Sequence, residues 1–284
     1  MHQHPVPRIG GLVVWAGFVP VALIASDLPG GLFTWIAWLA LLAVSLADDF
    51  RSVGAGPRLA VHALAAAIAG WGLLDASADA FTLPLLFLFL AWSANAFNFM
   101  DGSDGLAALM TITGFAAYAL AGGHQAVACA AIAGAAVPFA IVNRPPARLF
   151  MGDCGAVPLG FMAALFGAAG VLSLTWPPWF PVLVFLPFLS DATLTLLRRL
   201  ARGERVWDAH REHYYQRLHQ LGAGHRGTLF VYGVLMVGTC VSALITLRAE
   251  PAAGWLVLLA WCAALAVLFL RIDYHWRKLH APPA

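Results

Sequence analysis

Carboxylate and amide side chains are concentrated in a few short polar segments of an otherwise apolar chain. The first segment is the adjacent pair Asp48 and Asp49, which ends a long apolar run. Two neighbouring carboxylates repel each other, so at a membrane boundary the pair favours a shared cation or proton. A helix cap at the membrane interface is the alternative interpretation of this pair.

The second polar segment, at residues 95–107, places four oxygen-bearing side chains three residues apart. Asn95 and Asn98 share one helix face within an apolar run. Asp101 and Asp104 continue the spacing through a glycine-rich turn. Such oxygens suit a hard cation such as Mg²⁺, which also binds phosphate oxygens, and the helix that begins near Asp104 offers free backbone amides to an anion. An ordinary polar loop is the alternative.

Two further segments combine acidic, basic and histidine side chains. Asp153 is flanked by glycines at the start of a predicted helix, where a plain N-terminal cap is the alternative. The loop at 198–226 holds seven arginines together with His210 and His213. Arginine and histidine suit a diphosphate, and a basic anchor on anionic lipid is the alternative. The histidines have neither an HExxH spacing nor a cysteine partner that would indicate zinc.

These segments lie far apart in the sequence but are all predicted on one membrane face. Acids that suit a metal ion and basic side chains that suit phosphate together indicate phosphoryl transfer. A membrane-embedded enzyme of this kind takes one substrate from the lipid and the other from the cytoplasm.

The composition excludes several other classes of protein. The 284-residue chain is 61% apolar and only 11% charged, against roughly a quarter charged in ordinary soluble domains. It is too apolar for a compact water-soluble protein and too poor in charge for a disordered one. The net charge of +2 is too small for a nucleic-acid binder. The four cysteines show no CxxC spacing, so neither a disulfide framework nor a zinc site is expected.

Uncharged stretches of about 20 residues, long enough to cross ~30 Å of hydrocarbon, recur along the chain. Two of them are long enough for two passes and are divided by turn residues at 122–125 and 175–178. We therefore predict an all-α, polytopic integral membrane protein with about ten transmembrane helices in a single domain, residues 1–284. The stretches are 9–26, 28–47, 59–74, 80–100, 105–143, 154–190, 227–247 and 251–270.

The basic residues predict the orientation of these helices. With the N-terminus in the cytoplasm, every lysine and arginine except Arg248 falls in a cytoplasmic segment, as the positive-inside rule requires. The polar segments described above then face the cytoplasm. The remaining loop acids are interpreted as solvated charges: Asp27, Asp75, Asp79, Glu204, Asp208, Glu250 and Asp273.

The polar segments resemble the motifs of a known membrane family, the polyprenyl-phosphate N-acetylhexosamine-1-phosphate transferases. This family, glycosyltransferase family 4, includes phospho-MurNAc-pentapeptide translocase and the enzymes that initiate O-antigen assembly. The combination of a DGxDGLA block with FMGD is highly specific for it. The matching motifs are PRxGG at 7–11, DD at 48–49, NxxNxxDGxDGLA at 95–107, FMGD at 150–153, RRxxxG around 199–203 and HRxHxYQRL at 210–218.

The resemblance implies a reaction: transfer of N-acetylhexosamine-1-phosphate from a UDP-N-acetylhexosamine to undecaprenyl phosphate, with release of UMP. It implies Mg²⁺ as cofactor, with Mn²⁺ as an alternative, and an active site on the cytoplasmic face of the bacterial inner membrane. The expected partners are the two substrates and the lipid bilayer; a homodimer is left open, and no nucleic acid is expected. The Tyr-Gln form of the histidine motif favours the O-antigen or exopolysaccharide branch of the family.

The family pattern also implies roles for the acids and Asn98. Asn98 and Asp153 would bind the metal on the diphosphate. Asp48 and Asp49 would position or deprotonate the lipid phosphate, and positioning is favoured because a phosphate monoester has a second pKa near 6.

The other implied roles concern the nucleotide and the sugar. Asp101 and Asp104 would lie on the nucleotide side, with Asp104 nearest the uracil. The remaining candidates for substrate binding are Asn95, Arg211, His213 and Arg217.

The sequence departs from the family pattern at two places. The family usually has one more N-terminal helix and a DxPNxRxxH stretch before PRxGG, whereas this sequence starts within that stretch. A misassigned start codon or a missing helix would each explain the difference. The usual Gly-Ser after FMGD is replaced by Gly155 and Ala156, so a hydroxyl contact is absent.

Two alternative functions fit part of the pattern. A secondary transporter would also carry acids within the membrane. Here the acids gather at one edge, and Asp191, predicted near a helix end, is the only deep candidate. A non-catalytic membrane scaffold would tolerate asparagine in place of Asp49 and Asp153.

Overall fold

The computed structural model describes residues 6–25, 28–74, 81–205 and 210–279. All regular secondary structure within these residues is helical, so the all-α prediction is confirmed. Four acids that were predicted to lie in loops fall outside the described residues, namely Asp27, Asp75, Asp79 and Asp208.

The helices follow one another with short connections. A π-helical turn at His219–Ala223 joins the tenth helix to the eleventh. The helices are α1 (Gly11–Ala25), α2 (Leu32–Phe50), α3 (Ala55–Leu73), α4 (Thr82–Met100), α5 (Leu106–Ala121), α6 (Ala126–Asn143), α7 (Asp153–Leu172), α8 (Trp179–Val184), α9 (Leu186–Ala201), α10 (Tyr214–Leu218), α11 (Gly224–Thr246) and α12 (Pro251–Leu279).

The described helices have the lengths and surfaces of membrane-spanning segments. Six helical stretches are long and apolar enough to cross a membrane, namely α2, α4, α6, α7, α10 with α11, and α12, and α1 and α5 are shorter apolar helices. Large apolar side chains such as Leu85, Phe230 and Leu256 are exposed on the outside of the bundle, as expected for helices surrounded by lipid. The prediction of a polytopic membrane protein is confirmed.

One predicted boundary was wrong. The uncharged stretch that was predicted to end at Ser190 corresponds to α7 followed by the broken pair α8 and α9, and α9 continues to Ala201. Asp191, expected near a helix end, lies inside α9 and is wholly buried. A charged residue therefore did not mark the end of this helix, because its carboxylate is hydrogen-bonded within the bundle.

Helix α7 is the buried centre of the bundle and contacts α1, α2, α3, α4, α5 and α8. Its small residues let neighbouring helices approach closely. A Cβ added at Gly160 would lie 2.2 Å from the carbonyl oxygen of Ser93 in α4, and one at Gly170 would lie 2.2 Å from the ring of Trp176. This packing fixes the position of α7 and hence of its first residue, Asp153.

The segment before α1 pairs with the segment before α7. The backbone N–H groups of Gly10 and Gly11 donate to the carbonyl oxygens of Phe150 and Met151, each at 2.8 Å. A Cβ on Gly11 would lie 2.3 Å from the Cα of Gly155. Gly11 of the PRxGG motif and Gly155, two residues after FMGD, thus allow two backbones to come into direct contact.

Replacing Gly11 by alanine should destabilise the protein, because the new Cβ would collide with backbone. The control is Gly134→Ala in α6, where no atom lies within 4 Å of the added Cβ. Overpacking typically costs ~1–3 kcal/mol, whereas alanine in an open helical position is neutral or stabilising by up to about 1 kcal/mol. Thermal unfolding in detergent should show a lower midpoint for Gly11→Ala only. Equal midpoints for the two variants would contradict the close backbone contact.

Candidate active site

Asp49 joins the end of α2 to the start of α7. Its Oδ1 accepts the backbone N–H of Asp153 at 3.0 Å, and its Oδ2 accepts that of Cys154 at 2.9 Å. The first N–H groups of a helix have no partner within the helix, and a carboxylate both satisfies them and suits the positive end of the helix dipole. Gly152 permits this approach, because its φ is 74° and a Cβ there would lie 1.9 Å from the carbonyl oxygen of Arg8. Asp49 therefore holds Asp153 in place.

Arg58 of α3 bridges two carboxylates from different helices. Its Nη1 lies 2.5 Å from Oδ2 of Asp48 and 2.9 Å from Oδ2 of Asp153. Asp48 also accepts the backbone N–H of Val53 at 2.6 Å, and Nδ2 of Asn98 donates to Oδ2 of Asp153 at 3.4 Å. The ends of α2, α3, α4 and α7 thus meet at one point.

Asp101 lies in the turn between α4 and α5, close to this meeting point. Its carboxyl group interacts with the backbone of Gly152. Burial raises the pKa of Asp101 well above its usual value, the carboxylates of Asp153 and Asp49 raise it further, and Arg8 opposes the rise. Asp101 therefore favours a nearby cation or a bound proton.

The carboxylates outnumber the basic groups around them. Within the described residues, no three His, Cys, Asp or Glu side chains are arranged to hold a metal ion by themselves. The excess negative charge and the amide of Asn98 nevertheless fit a divalent cation that takes other ligands from phosphate and water, as Mg²⁺ does. Arg8 and Arg58 are the basic residues that interact with these acids. We call the acids the acidic cluster: Asp48, Asp49, Asp101 and Asp153.

Asp104 lies apart from the acidic cluster, at the edge of a cavity of about 430 Å³. Its Oδ2 accepts the backbone N–H of Ala147 at 3.0 Å, and its own N–H donates to Nδ1 of His225 at 3.3 Å. Asp104 is buried. It lines the cavity together with Pro145, Pro146 and His225. The second polar segment therefore serves two places: Asn98 and Asp101 lie near the acidic cluster, and Asp104 lies at the cavity.

The histidine motif packs against the end of α4. The ring centroids of His213 and Phe99 are 5.7 Å apart, and the Tyr215 hydroxyl donates to the carbonyl oxygen of Phe99 at 3.0 Å. His213 is buried, with Nδ1 3.2 Å from Oδ1 of Asp191. Burial, with neighbouring positive charges, lowers the pKa of His210 to about 4, so this ring is neutral at pH 7. His213 thus lies beside the segment that carries Asn98.

Arg217 is bound within the protein. Its Nη1 lies 2.9 Å from Oδ1 of Asp273, and its Nη2 lies 3.2 Å from Oε2 of Glu212. Arg198 also pairs with Asp273, which is only 5% exposed. The interpretation of Asp273 as a solvated loop charge was therefore wrong: it lies in α12 and ties that helix to α9 and α10. These contacts give Arg217 a structural role, and its contact with the diphosphate or sugar stays a prediction.

The two remaining predicted residues lie in different surroundings. Nδ2 of Asn95 donates to the carbonyl oxygen of Ala91 in its own helix at 2.7 Å, and its side chain interacts with His62 of α3. Asn95 is therefore held within the bundle, one turn before Asn98. Arg211 is exposed in the loop before α10.

Sequence reasoning missed two residues of this region. Arg58 was treated only as a basic residue that sets orientation, although an arginine in the first turns of an apolar helix was a usable signal. Nothing in the sequence linked His225 to Asp104, because 121 residues separate them.

Asp49→Ala should destabilise the protein, because it leaves the first two N–H groups of α7 without a partner. The loss of an N-cap side chain costs about 0.5–2 kcal/mol. Asp49→Asn keeps one acceptor oxygen and should recover part of that loss. Chemical unfolding in detergent would measure both, and equal destabilisation by the two substitutions would contradict a capping role.

Comparison with known proteins gives one consistent family. The model of Glycosyl transferase family 4 matches residues 32–171. The chain is 29% identical to decaprenyl-phosphate N-acetylglucosaminephosphotransferase of Mycobacterium tuberculosis (strain ATCC 25618 / H37Rv), over 97% of this chain and 82% of that protein. It is 26% identical to the probable undecaprenyl-phosphate N-acetylglucosaminyl 1-phosphate transferase of Bacillus subtilis (strain 168), over 96% and 80%.

A third relative extends the same family. The phospho-N-acetylmuramoyl-pentapeptide-transferase of Bartonella quintana (strain Toulouse) is 27% identical over 57% of this chain and 58% of that protein. The matched family region runs from the start of α2 to the end of α7 and so includes the whole acidic cluster. The family model and these relatives together support the assignment of the chain to glycosyl transferase family 4, the family of the polyprenyl-phosphate N-acetylhexosamine-1-phosphate transferases.

Proposed function

We propose that this protein transfers N-acetylhexosamine-1-phosphate from a UDP-N-acetylhexosamine to undecaprenyl phosphate and releases UMP. The observation that carries the proposal is the meeting of Asp48, Asp49, Asn98 and Asp153 at the ends of separate membrane-spanning helices. Relatives named as polyprenyl-phosphate N-acetylglucosamine transferases support the same chemistry.

The proposed metal ligands are Asn98 and Asp153, with Mg²⁺ as the metal and Mn²⁺ as the alternative. Nδ2 of Asn98 lies 3.4 Å from Oδ2 of Asp153, and both side chains lie beside the other carboxylates of the acidic cluster. When bound, the metal neutralises charge on the diphosphate. Asp49 keeps Asp153 oriented through the first N–H groups of α7, so that the ligand is positioned before substrate arrives.

In the proposed reaction, an oxygen of the lipid phosphate attacks the phosphorus that carries the sugar. The bond from that phosphorus to the bridging oxygen breaks, and UMP leaves with the electron pair. A phosphate monoester is largely ionised at pH 7, so no strong base is needed. Asp48 is already bonded to Arg58 and to the N–H of Val53, and this supports a positioning role for Asp48 and an anion-binding role for Arg58.

We assign the nucleotide to the cavity beside Asp104 and His225. It lies at the other end of the second polar segment from Asn98, and buried Asp104 borders it. A carboxylate at that position can accept an N–H of a base, whereas the acidic cluster would repel the nucleotide's phosphates without a cation. Asp104 therefore fits the nucleotide side of the site, as the family pattern implies.

The location and pathway follow from the same proposal. The positive-inside pattern supports a site on the cytoplasmic face, and the bacterial relatives support a location in the bacterial inner membrane. The relatives are named for N-acetylglucosamine transfer, so UDP-N-acetylglucosamine is the first donor to test. The O-antigen or exopolysaccharide branch stays a prediction from the Tyr-Gln form of the histidine motif.

Membranes that contain the protein, UDP-N-acetylglucosamine, undecaprenyl phosphate and Mg²⁺ should release UMP and form a lipid-linked sugar phosphate. Asp153→Asn should lower the rate of formation of both products on the order of 100-fold or more. The reason is that loss of a metal ligand weakens the stabilisation of negative charge in the transition state. The matched control, Glu250→Gln, neutralises an exposed acid between α11 and α12 and should leave the rate unchanged. Full activity of Asp153→Asn would refute the metal role. Accumulation of a labelled solute in vesicles without UMP release would favour a transporter.

The donor can be identified by exchange of labelled UMP into a series of UDP-sugars. UDP-N-acetylhexosamines are expected to exchange and UDP-glucose is not. Removal of divalent cations with EDTA should stop the exchange, and Mg²⁺ should restore it, because the acidic cluster otherwise repels the diphosphate. Exchange at the full rate in EDTA would overturn the proposed metal dependence.

A further inference from the structure

Asp191 is a wholly buried acid outside the acidic cluster, in the middle of α9. Its two oxygens face hydrogen-bond donors from α9, α10 and α11 and from the residue before α10. The partners are the backbone N–H groups of Tyr214 at 2.9 Å and Tyr215 at 3.0 Å, the hydroxyls of Thr195 at 3.2 Å and Tyr232, and Nδ1 of His213 at 3.2 Å.

This set of partners fits an ionised carboxylate. The two backbone N–H groups can only donate, and a buried charge is tolerated when hydrogen bonds replace its hydration. The ring nitrogen of His213 that faces the carboxylate then carries a hydrogen, so Nε2 is the nitrogen left for another partner. Asp191 therefore selects which ring nitrogen of His213 is available.

The ring of His213 is also fixed from its other sides. It stacks on Tyr215 with a centroid distance of 5.9 Å, and it lies 5.7 Å from Phe99 and 4.8 Å from His210. Its backbone N–H lies 3.3 Å from Oε1 of Gln216. These contacts leave the ring little freedom once Asp191 holds Nδ1.

We propose that Asp191 is a positioning residue, which holds His213 through Nδ1 so that Nε2 is presented to the diphosphate-sugar. The inference rests on the proposed transferase function. Asp191 reaches the site only through His213. Its loss should therefore weaken the binding of the UDP-sugar and leave the binding of undecaprenyl phosphate unchanged.

Asp273 provides a matched comparison. It is also a buried acid bonded to the histidine motif, through the hydroxyl of Tyr214 at 3.4 Å and the guanidinium of Arg217 at 2.9 Å. None of its described contacts involves His213. Substitution of Asp273 therefore measures how a general loosening of the histidine motif affects activity, while the bond between Asp191 and His213 is kept.

The experiment is a double-mutant cycle in membranes, with turnover and KM normalised to folded protein. Asp191→Asn should lower turnover about 10- to 100-fold and raise KM for the UDP-sugar, with KM for undecaprenyl phosphate unchanged. In a His213→Gln background, Asp191→Asn should cause no further loss of turnover. The loss of turnover from Asp273→Asn should instead multiply with that from His213→Gln. Multiplicative losses for Asp191 and His213 would overturn the inference.

A second variant covers the case in which Asp191→Asn does not fold. Asp191→Glu keeps the charge for the buried donors but displaces the carboxylate by one methylene, so it should still raise KM for the UDP-sugar. An Asp191→Glu protein with wild-type KM would overturn the inference. If the wild-type protein releases no UMP, the proposed function is overturned, and the inference with it. If the wild-type protein is active but the Asp191 variants have the same kinetic effects as Asp273→Asn, the inference alone is overturned.

Discussion

The geometry of the site depends on the bonds from the Asp49 carboxylate to the first two N–H groups of α7. Helix α7 is buried on nearly all sides and cannot shift without disturbing the neighbours packed on its glycines. The residues before it are held from the other side by the backbone bonds of Gly10 and Gly11. Asp153 is therefore fixed by packing, by backbone pairing and by a carboxylate cap, which is the support that a metal ligand requires.

The acids of this protein differ in how well their charge is compensated. Asp191 and Asp273 are buried but satisfied by backbone, hydroxyl or arginine donors, and they join α9, α10, α11 and α12. The acidic cluster has more carboxylates than basic partners. These acids are only partly buried, but carboxylates held close together still repel one another, so the cluster marks the place where a cation from outside the chain is favoured.

The same comparison bears on the transporter alternative. Asp191 was the acid that a transport path would use, yet it is fully enclosed and surrounded by donors. The acidic cluster lies at helix ends, where Asp48 and Asp49 finish α2 and Asp153 begins α7. This arrangement supports a site that works at the membrane surface on one lipid and one soluble substrate.

The sequence by itself determined most of the apolar helices and the positions of the polar segments, because the thickness of a bilayer sets the length of apolar runs and most charges lie at their ends. It also placed Asp48, Asn98 and Asp153 on one membrane face, and the motif resemblance implied their roles. Only the tertiary structure decided which helices are neighbours. That choice paired Arg58 with two carboxylates, turned Arg217 toward Asp273, and put Asp191 behind His213. Such pairings depend on burial and on donors supplied by distant segments, and apolar spacing along the chain does not encode them.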